Sequence, residues 1–254
     1  MHGITPKGMK LPACGRSQVG FGAFKQVIEL PTNRRRFVAS LLPDCVAVVE
    51  GPFEAEPGDL WPEEAAYIAS AAIKRQAEFA CGRSFARRAF GALGSAPGPL
   101  LGDADRVPSW PNGLTGSITH TRNYCAVAVA RRTAITAIGI DVENIDRVRP
   151  ELFSYFLTAH EITANLQGFD AVQQQRRGAA IFSAKEALYK CLQRPTGTKL
   201  GFHDVAVDLD KAPESFEVAL LVAAGEFNIG HRFAGRYALD GDRVATAVCL
   251  TPKH

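Results

Sequence analysis

Two short runs decide how this chain folds: Tyr124–Ala130, Y-C-A-V-A-V-A, and Thr136–Val142, T-A-I-G-I-D-V. The first is small and apolar throughout; the second is rich in β-branched residues and ends in acid. Runs of this kind suit strands buried on both faces. Upstream, Glu63–Leu93 carries apolar residues at helical spacing (Ile68, Ala72, Ile73, Phe79, Ala86, Phe90), and Pro62 suits the first helical position. Gly82 interrupts that run at a cost of about 1 kcal/mol relative to Ala, so something other than helix propensity is expected to hold it there, such as close approach of a ligand to the backbone. Farther upstream, Phe37–Leu42 reads as a short apolar element and Cys45–Val49 as a strand.

Downstream, Thr158-x-x-Glu161 is a capping-box signature for a short helix. Ala171–Leu192 reads as a second long helix, ended by Arg194-Pro195-Thr196-Gly197. Val205–Leu209, Ser215–Val222 and Val244–Leu250 read as C-terminal strands. The order is mixed α and β without regular βαβ alternation, and no internal repeat is visible.

The chain has 254 residues, 46% hydrophobic and 22% charged, the composition of a globular protein of one large or two small domains. Its net charge of +3 comes from acids and bases that are interspersed, with arginine doublets scattered along the chain. That is not the concentrated footprint of a nucleic-acid binder. Six cysteines stand far apart, with no C-x-x-C and no zinc spacing, which favours reduced thiols in a cytosol. Met1–Gly15 has no apolar signal core, and no run is long and apolar enough to span a membrane. A cytoplasmic protein is expected.

Four segments carry chemistry. In Gly139-Ile140-Asp141-Val142-Glu143 the two acids point to one face of a strand. Oxygen-only ligands select hard cations, with Mg²⁺ the natural candidate; two surface acids at a strand end would carry the same letters. In Phe182–Lys190, F-S-A-K-E-A-L-Y-K, Glu186 and Lys190 share a helical face and Lys185 sits one step round. These are either a solvated ion pair or a third metal oxygen with phosphate-holding lysines. Gly113–His120, G-L-T-G-S-I-T-H, has the small residues and hydroxyls of an anion-binding turn before a strand. In Phe79–Arg88, Arg83 and Arg87 lie one turn apart, a geometry suited to phosphate or to a plain basic face.

In this order and spacing the segments resemble the 4′-phosphopantetheinyl transferases of the larger Sfp-type class, with likeness to the enterobactin-synthase branch. F-A-x-G-R-x-x-A-R-R at Phe79–Arg88, the approach from Arg106 to His120, G-I-D-V-E at Gly139–Glu143, F-S-A-K-E-A-L-Y-K and Leu200-Gly201-Phe202 carry the resemblance, over about residues 75–210. Thr119 stands where relatives usually place Ser before the His, and Thr121 where they often place Cys.

The resemblance implies an α+β fold of two similar α/β halves, residues 1–135 and 136–254, forming an intramolecular pseudo-dimer, hence a monomer. It implies transfer of the phosphopantetheine arm of coenzyme A to a serine of an apo acyl or peptidyl carrier protein, with release of adenosine 3′,5′-bisphosphate. Asp141, Glu143 and Glu186 are then expected to hold Mg²⁺, and Glu186 to activate the incoming serine. Lys185 and Lys190 are expected on the pyrophosphate, and Thr119, His120, Arg83, Arg87 and Arg106 on coenzyme A phosphates. A Mg²⁺-dependent nucleotide or phosphoester hydrolase and a non-catalytic coenzyme A-binding module are the competing readings. Fatty-acid, polyketide, nonribosomal-peptide and siderophore carriers all remain open.

Overall fold

The strand expected at Tyr124–Ala130 is the centre of a three-stranded antiparallel sheet, and both its faces are buried. The computed structural model describes residues 37–54, 57–103, 105–210 and 212–252; Met1–Arg36, with the reading of the N-terminus, lie outside them. In chain order the elements are β1 (Ala47–Gly51), α1 (Pro62–Ile68), α2 (Ile73–Ala92), β2 (Leu114–Thr121), β3 (Tyr124–Arg131) and β4 (Ala137–Asn144). They continue with α3 (Phe153–Phe156), α4 (Ala159–Leu166), α5 (Ala171–Thr196), β5 (Val205–Leu209), β6 (Ser215–Leu220), β7 (Arg232–Asp240) and β8 (Arg243–Leu250).

The first sheet has the order β1-β3-β2 and the second β4-β8-β7-β6-β5, all antiparallel. Beneath these orders lies a repeat that the residues conceal. Each half runs strand, long helix, strand, strand, and each places its third strand between the first two: β1-α2-β2-β3 and β4-α5-β7-β8. The second copy carries the β5–β6 hairpin as an insertion beside β7.

Alternation along β3 shows why two sheets stack. Cys125, Val127 and Val129 pack with Phe85, Ala86 and Phe90 of α2. Ala126, Ala128 and Ala130 face the other way, toward Ile138, Ile140 and Val142 of β4 and Ala245 and Ala247 of β8. Small side chains on that inner face let the sheets approach. A third core lies under α5, where Ile181, Leu188 and Leu192 pack against Val205, Val218, Val244 and Val248.

Several boundaries differ from expectation for identifiable reasons. The helical run over Glu63–Leu93 is broken between α1 and α2; Gln76 Nε2 donates to the Ala71 carbonyl at 2.8 Å and the Ala69 carbonyl at 3.3 Å, satisfying acceptors that the break frees. The strand expected at Cys45–Val49 runs Ala47–Gly51, and α5 continues through Pro195 to Thr196. Gly113–His120, read as a turn, is largely β2. β7, with exposed arginines and Gly235, was not expected at all. Gly82 serves packing rather than a ligand: a Cβ there would stand 3.1 Å from Ile118 Cγ2 of β2.

The capping box forms as read, with Thr158 Oγ1 accepting from Glu161 N at 3.2 Å and Glu161 Oε2 accepting from Thr158 N at 2.7 Å. The five described cysteines are free thiols, and among the described residues no helix is long and apolar enough to cross a membrane.

Candidate active site

The two sheets meet along β2 and β4, each an edge of its own sheet. An open edge exposes unpaired N–H groups; here hydroxyls of β2 satisfy them. Ser117 Oγ accepts from Ile140 N and Thr119 Oγ1 from Val142 N, each at 3.1 Å. Thr121 Oγ1 donates to Asn144 Oδ1 at 2.6 Å. The acidic end of β4 is therefore fixed against the first half of the protein.

Gly139 sets the other side. A Cβ on it would lie 1.8 Å from the Ala187 carbonyl of α5, so only glycine permits this approach of helix to strand. The approach brings Asp141, 4% exposed, against α5. Its Oδ1 accepts from Lys190 Nζ at 2.7 Å and Thr119 Oγ1 at 3.2 Å, and its Oδ2 from Ser183 Oγ at 2.8 Å. Ser183 is itself held by Thr246, whose Oγ1 donates to the Ser183 carbonyl at 2.9 Å.

Glu143 and Glu186 complete an acidic cluster around Asp141. Burial, and then the charge of Asp141, push the Glu143 carboxyl up to about 7. Burial also raises Glu186, with Lys190 opposing the shift and Asp141 adding to it. Neither glutamate is in an ion pair among the described residues, whereas Lys190 is already committed to Asp141. Partly buried carboxylates that repel one another call for a cation, and a set with oxygen donors only suits a hard divalent ion. As the side chains stand, no three His, Cys, Asp or Glu groups among the described residues converge into a ligand cage. The fit is thus one of donor chemistry and unrelieved charge alone.

Beside this cluster opens a cleft of about 700 Å³ lined from both halves. Arg83, Arg106, His120 and Lys190 line it, together with Arg75 and Trp110. Arg83 is buried; its Nε donates to the Leu100 carbonyl at 2.7 Å and its guanidinium lies 3.8 Å over the Phe79 ring. Arg106 sits in a turn at φ 64°, closed by its N–H on the Asp103 carbonyl at 2.9 Å. His120 Nε2 lies 2.7 Å from Arg75 Nη1. A guanidinium only donates, so Nε2 accepts in this contact. Burial pushes the His120 pKa below its ordinary value, with Glu78 opposing the shift.

Three expected residues stand elsewhere. Lys185 is fully buried, and its ammonium donates to Glu161 Oε2 at 2.8 Å and to the carbonyls of Phe156 at 2.7 Å, Phe202 at 2.6 Å and Val205 at 3.3 Å. It ties α3, α4 and β5 to α5 and has no donor left for pyrophosphate. Arg87 turns away from the cleft onto buried Glu64, at 2.9 Å, and the Asp59 carbonyl. Thr119 also faces away, because neighbours in a strand point to opposite faces. His120 follows Ile118 toward the cleft while Thr119 follows Ser117 toward β4, its hydroxyl used by Val142 and Asp141. Arg75 was missed from sequence, although it lies two turns before Arg83 on α2 and that spacing is its signal.

Comparison with known proteins follows the same division of the chain. Residues 63–130 match the family model described as the 4′-phosphopantetheinyl transferase N-terminal domain, and residues 137–248 that of the 4′-phosphopantetheinyl transferase superfamily. A 4′-phosphopantetheinyl transferase of Streptomyces mobaraensis is 37% identical over 221 residues, covering 84% of this chain and 89% of that protein. One from Mycobacterium tuberculosis is 31% identical, covering 84% and 97%. Enterobactin synthase component D of Escherichia coli is 31% identical, covering 58% and 68%.

Proposed function

This chain belongs to the 4′-phosphopantetheinyl transferases, and we propose that it moves the phosphopantetheine arm of coenzyme A onto a serine of an apo acyl or peptidyl carrier protein. The observation that carries this reading is the position of Lys190. It lines the basic cleft and is bonded at 2.7 Å to Asp141 of the acidic cluster, so a phosphate donor and the carboxylates meet at one side chain.

In this reading Arg83, Arg106, His120 and Arg75 grip the phosphates of coenzyme A, and Lys190 leaves Asp141 for the pyrophosphate. Asp141, Glu143 and Glu186 hold Mg²⁺, which when bound neutralises charge on the pyrophosphate oxygens. Glu186 activates the serine by accepting its proton, directly or through water. The serine oxygen forms a new bond to phosphorus, the pyrophosphate P–O bond breaks, the proton passes to Glu186, and adenosine 3′,5′-bisphosphate leaves. Lys185, Arg87 and Thr119 serve by holding elements in place. We place the boundary between halves at residues 135 and 136, and because both halves line the cleft the monomer suffices.

Intact-protein mass spectrometry of an apo carrier protein, incubated with this protein and coenzyme A, tests the reading. The expected result is a mass gain of one phosphopantetheine arm with Mg²⁺ and none with EDTA. Release of adenosine bisphosphate without an acceptor would favour the hydrolase. No gain together with no coenzyme A binding would overturn the transferase.

A further inference from the structure

Glu64 lies outside the chemistry above yet is wired to it. It is a fully buried carboxylate on α1. Its Oε1 accepts from Leu100 N at 2.8 Å, and its Oε2 from Trp61 N at 3.0 Å and Arg87 Nη1 at 2.9 Å. Leu100, itself buried, turns its carbonyl to Arg83 Nε at 2.7 Å. A second route runs parallel to the first: Tyr67 of α1 stacks on Phe79 at 5.6 Å, and Phe79 lies under the Arg83 guanidinium. Nε is the only Arg83 nitrogen with a hydrogen-bond partner among the described residues, so its terminal nitrogens are free to meet a ligand in the cleft.

We propose that Glu64 is a positioning residue that fixes Arg83 for phosphate by holding the Leu100 segment, with Arg87 as its counter-ion. The proposal rests on the transferase reading only in naming the ligand of Arg83. A long guanidinium has many rotamers, and anchoring Nε while packing one face on an aromatic ring leaves the fork aimed in one direction. The charge of Glu64 also opposes the burial that pulls Arg83 down to about 10. If Glu64 merely completed a buried ion pair, its loss would lower stability without singling out one substrate.

The test uses the full chain with Glu64→Leu combined with Arg87→Met, which removes the pair without stranding a charge. Glu64→Asp is the milder variant, keeping the charge but drawing the carboxylate back from Leu100. Two readouts are needed: hydrogen exchange of the Arg83 Nε–H by NMR, assigned through its loss in Arg83→Lys, and steady-state kinetics. For the double variant we expect Nε–H exchange to accelerate about ten-fold or more, and KM for coenzyme A to rise about ten-fold, with kcat and the carrier KM within about two-fold. Glu64→Asp should move both in the same direction by about three-fold. In the Arg83→Lys background the double variant should change KM by less than about two-fold. Unchanged Nε–H exchange, or KM effects that simply add in the Arg83→Lys background, overturns the proposal. Faster exchange in a protein that binds no coenzyme A upholds the positioning and removes the transferase reading instead.

Discussion

Replacing Glu143 by Gln should stabilise the metal-free protein, and only at high pH. Burial and the neighbouring Asp141 raise this carboxyl from 4.5 to about 7. Displacement by that much corresponds to about 3 kcal/mol of unfavourable free energy once the group is ionised in the folded state. A pKa raised on folding means that the folded protein binds the extra proton. The favourable contribution is therefore complete below pH 4.5, fades as pH rises toward about 7, and is gone above it. Glutamine keeps the shape and lacks the charge, so it escapes this loss. In EDTA at pH 8.5, Glu143→Gln should melt about 6–12 °C above wild type for a chain of this size. The two melting curves should draw together as pH is lowered to 4.5. Differential scanning calorimetry in matched buffers across pH 4.5–8.5 measures this directly. A wild type as stable as the variant at pH 8.5, or a gap that widens on acidification, would refute the electrostatic reasoning and with it the view of Glu143 as an unrelieved charge.

Gly139→Ala should cost about 3 kcal/mol or more, because its Cβ would meet the Ala187 carbonyl at 1.8 Å and α5 would have to move; an unfolding free energy from urea titration within about 0.5 kcal/mol of wild type would show that the helix gives way cheaply. The two lysines of α5 should separate cleanly. Lys185→Ala strands buried Glu161 and should lose about 3–5 kcal/mol of stability, while Lys190→Ala, which leaves Asp141 its Thr119 and Ser183 donors, should stay folded with a smaller loss of stability and lose about 100-fold or more in transfer. A stable Lys185→Ala with a raised coenzyme A KM would return Lys185 to the site. Asp141→Asn and Glu186→Gln should each abolish transfer while circular dichroism stays unchanged, and near-normal turnover in either would remove the metal assignment.

Much of the chemistry was legible in the residues. Period-two spacing put Asp141 and Glu143 on one face, period-3.6 spacing put Glu186 and Lys190 on another, and the structure brings Asp141 and Lys190 together at 2.7 Å. The capping box at Thr158 and the buried strands at Tyr124 and Ala137 were equally plain, because each depends on neighbours a few residues away. β2 was not, since its hydroxyls and glycine are the letters of a turn until β4 arrives to take up the hydroxyls.

What the amino-acid sequence determined by itself was which kinds of group the site contains and which elements carry them. Tertiary structure alone decided which of those groups reach the cleft. Lys185 and Lys190 are five positions apart, turned roughly 140° from one another on the helix, but it is Glu161, from a different helix, that claims one of them. Arg83 and Arg87 share a face, and Glu64 claims the second. The repeated strand–helix–strand–strand unit was invisible for the same reason: it consists of pairings between distant segments, and different side chains can satisfy those pairings in each half. Local spacing fixes where a side chain starts; the nearest opposite charge or free acceptor, delivered by a remote part of the chain, fixes where it ends.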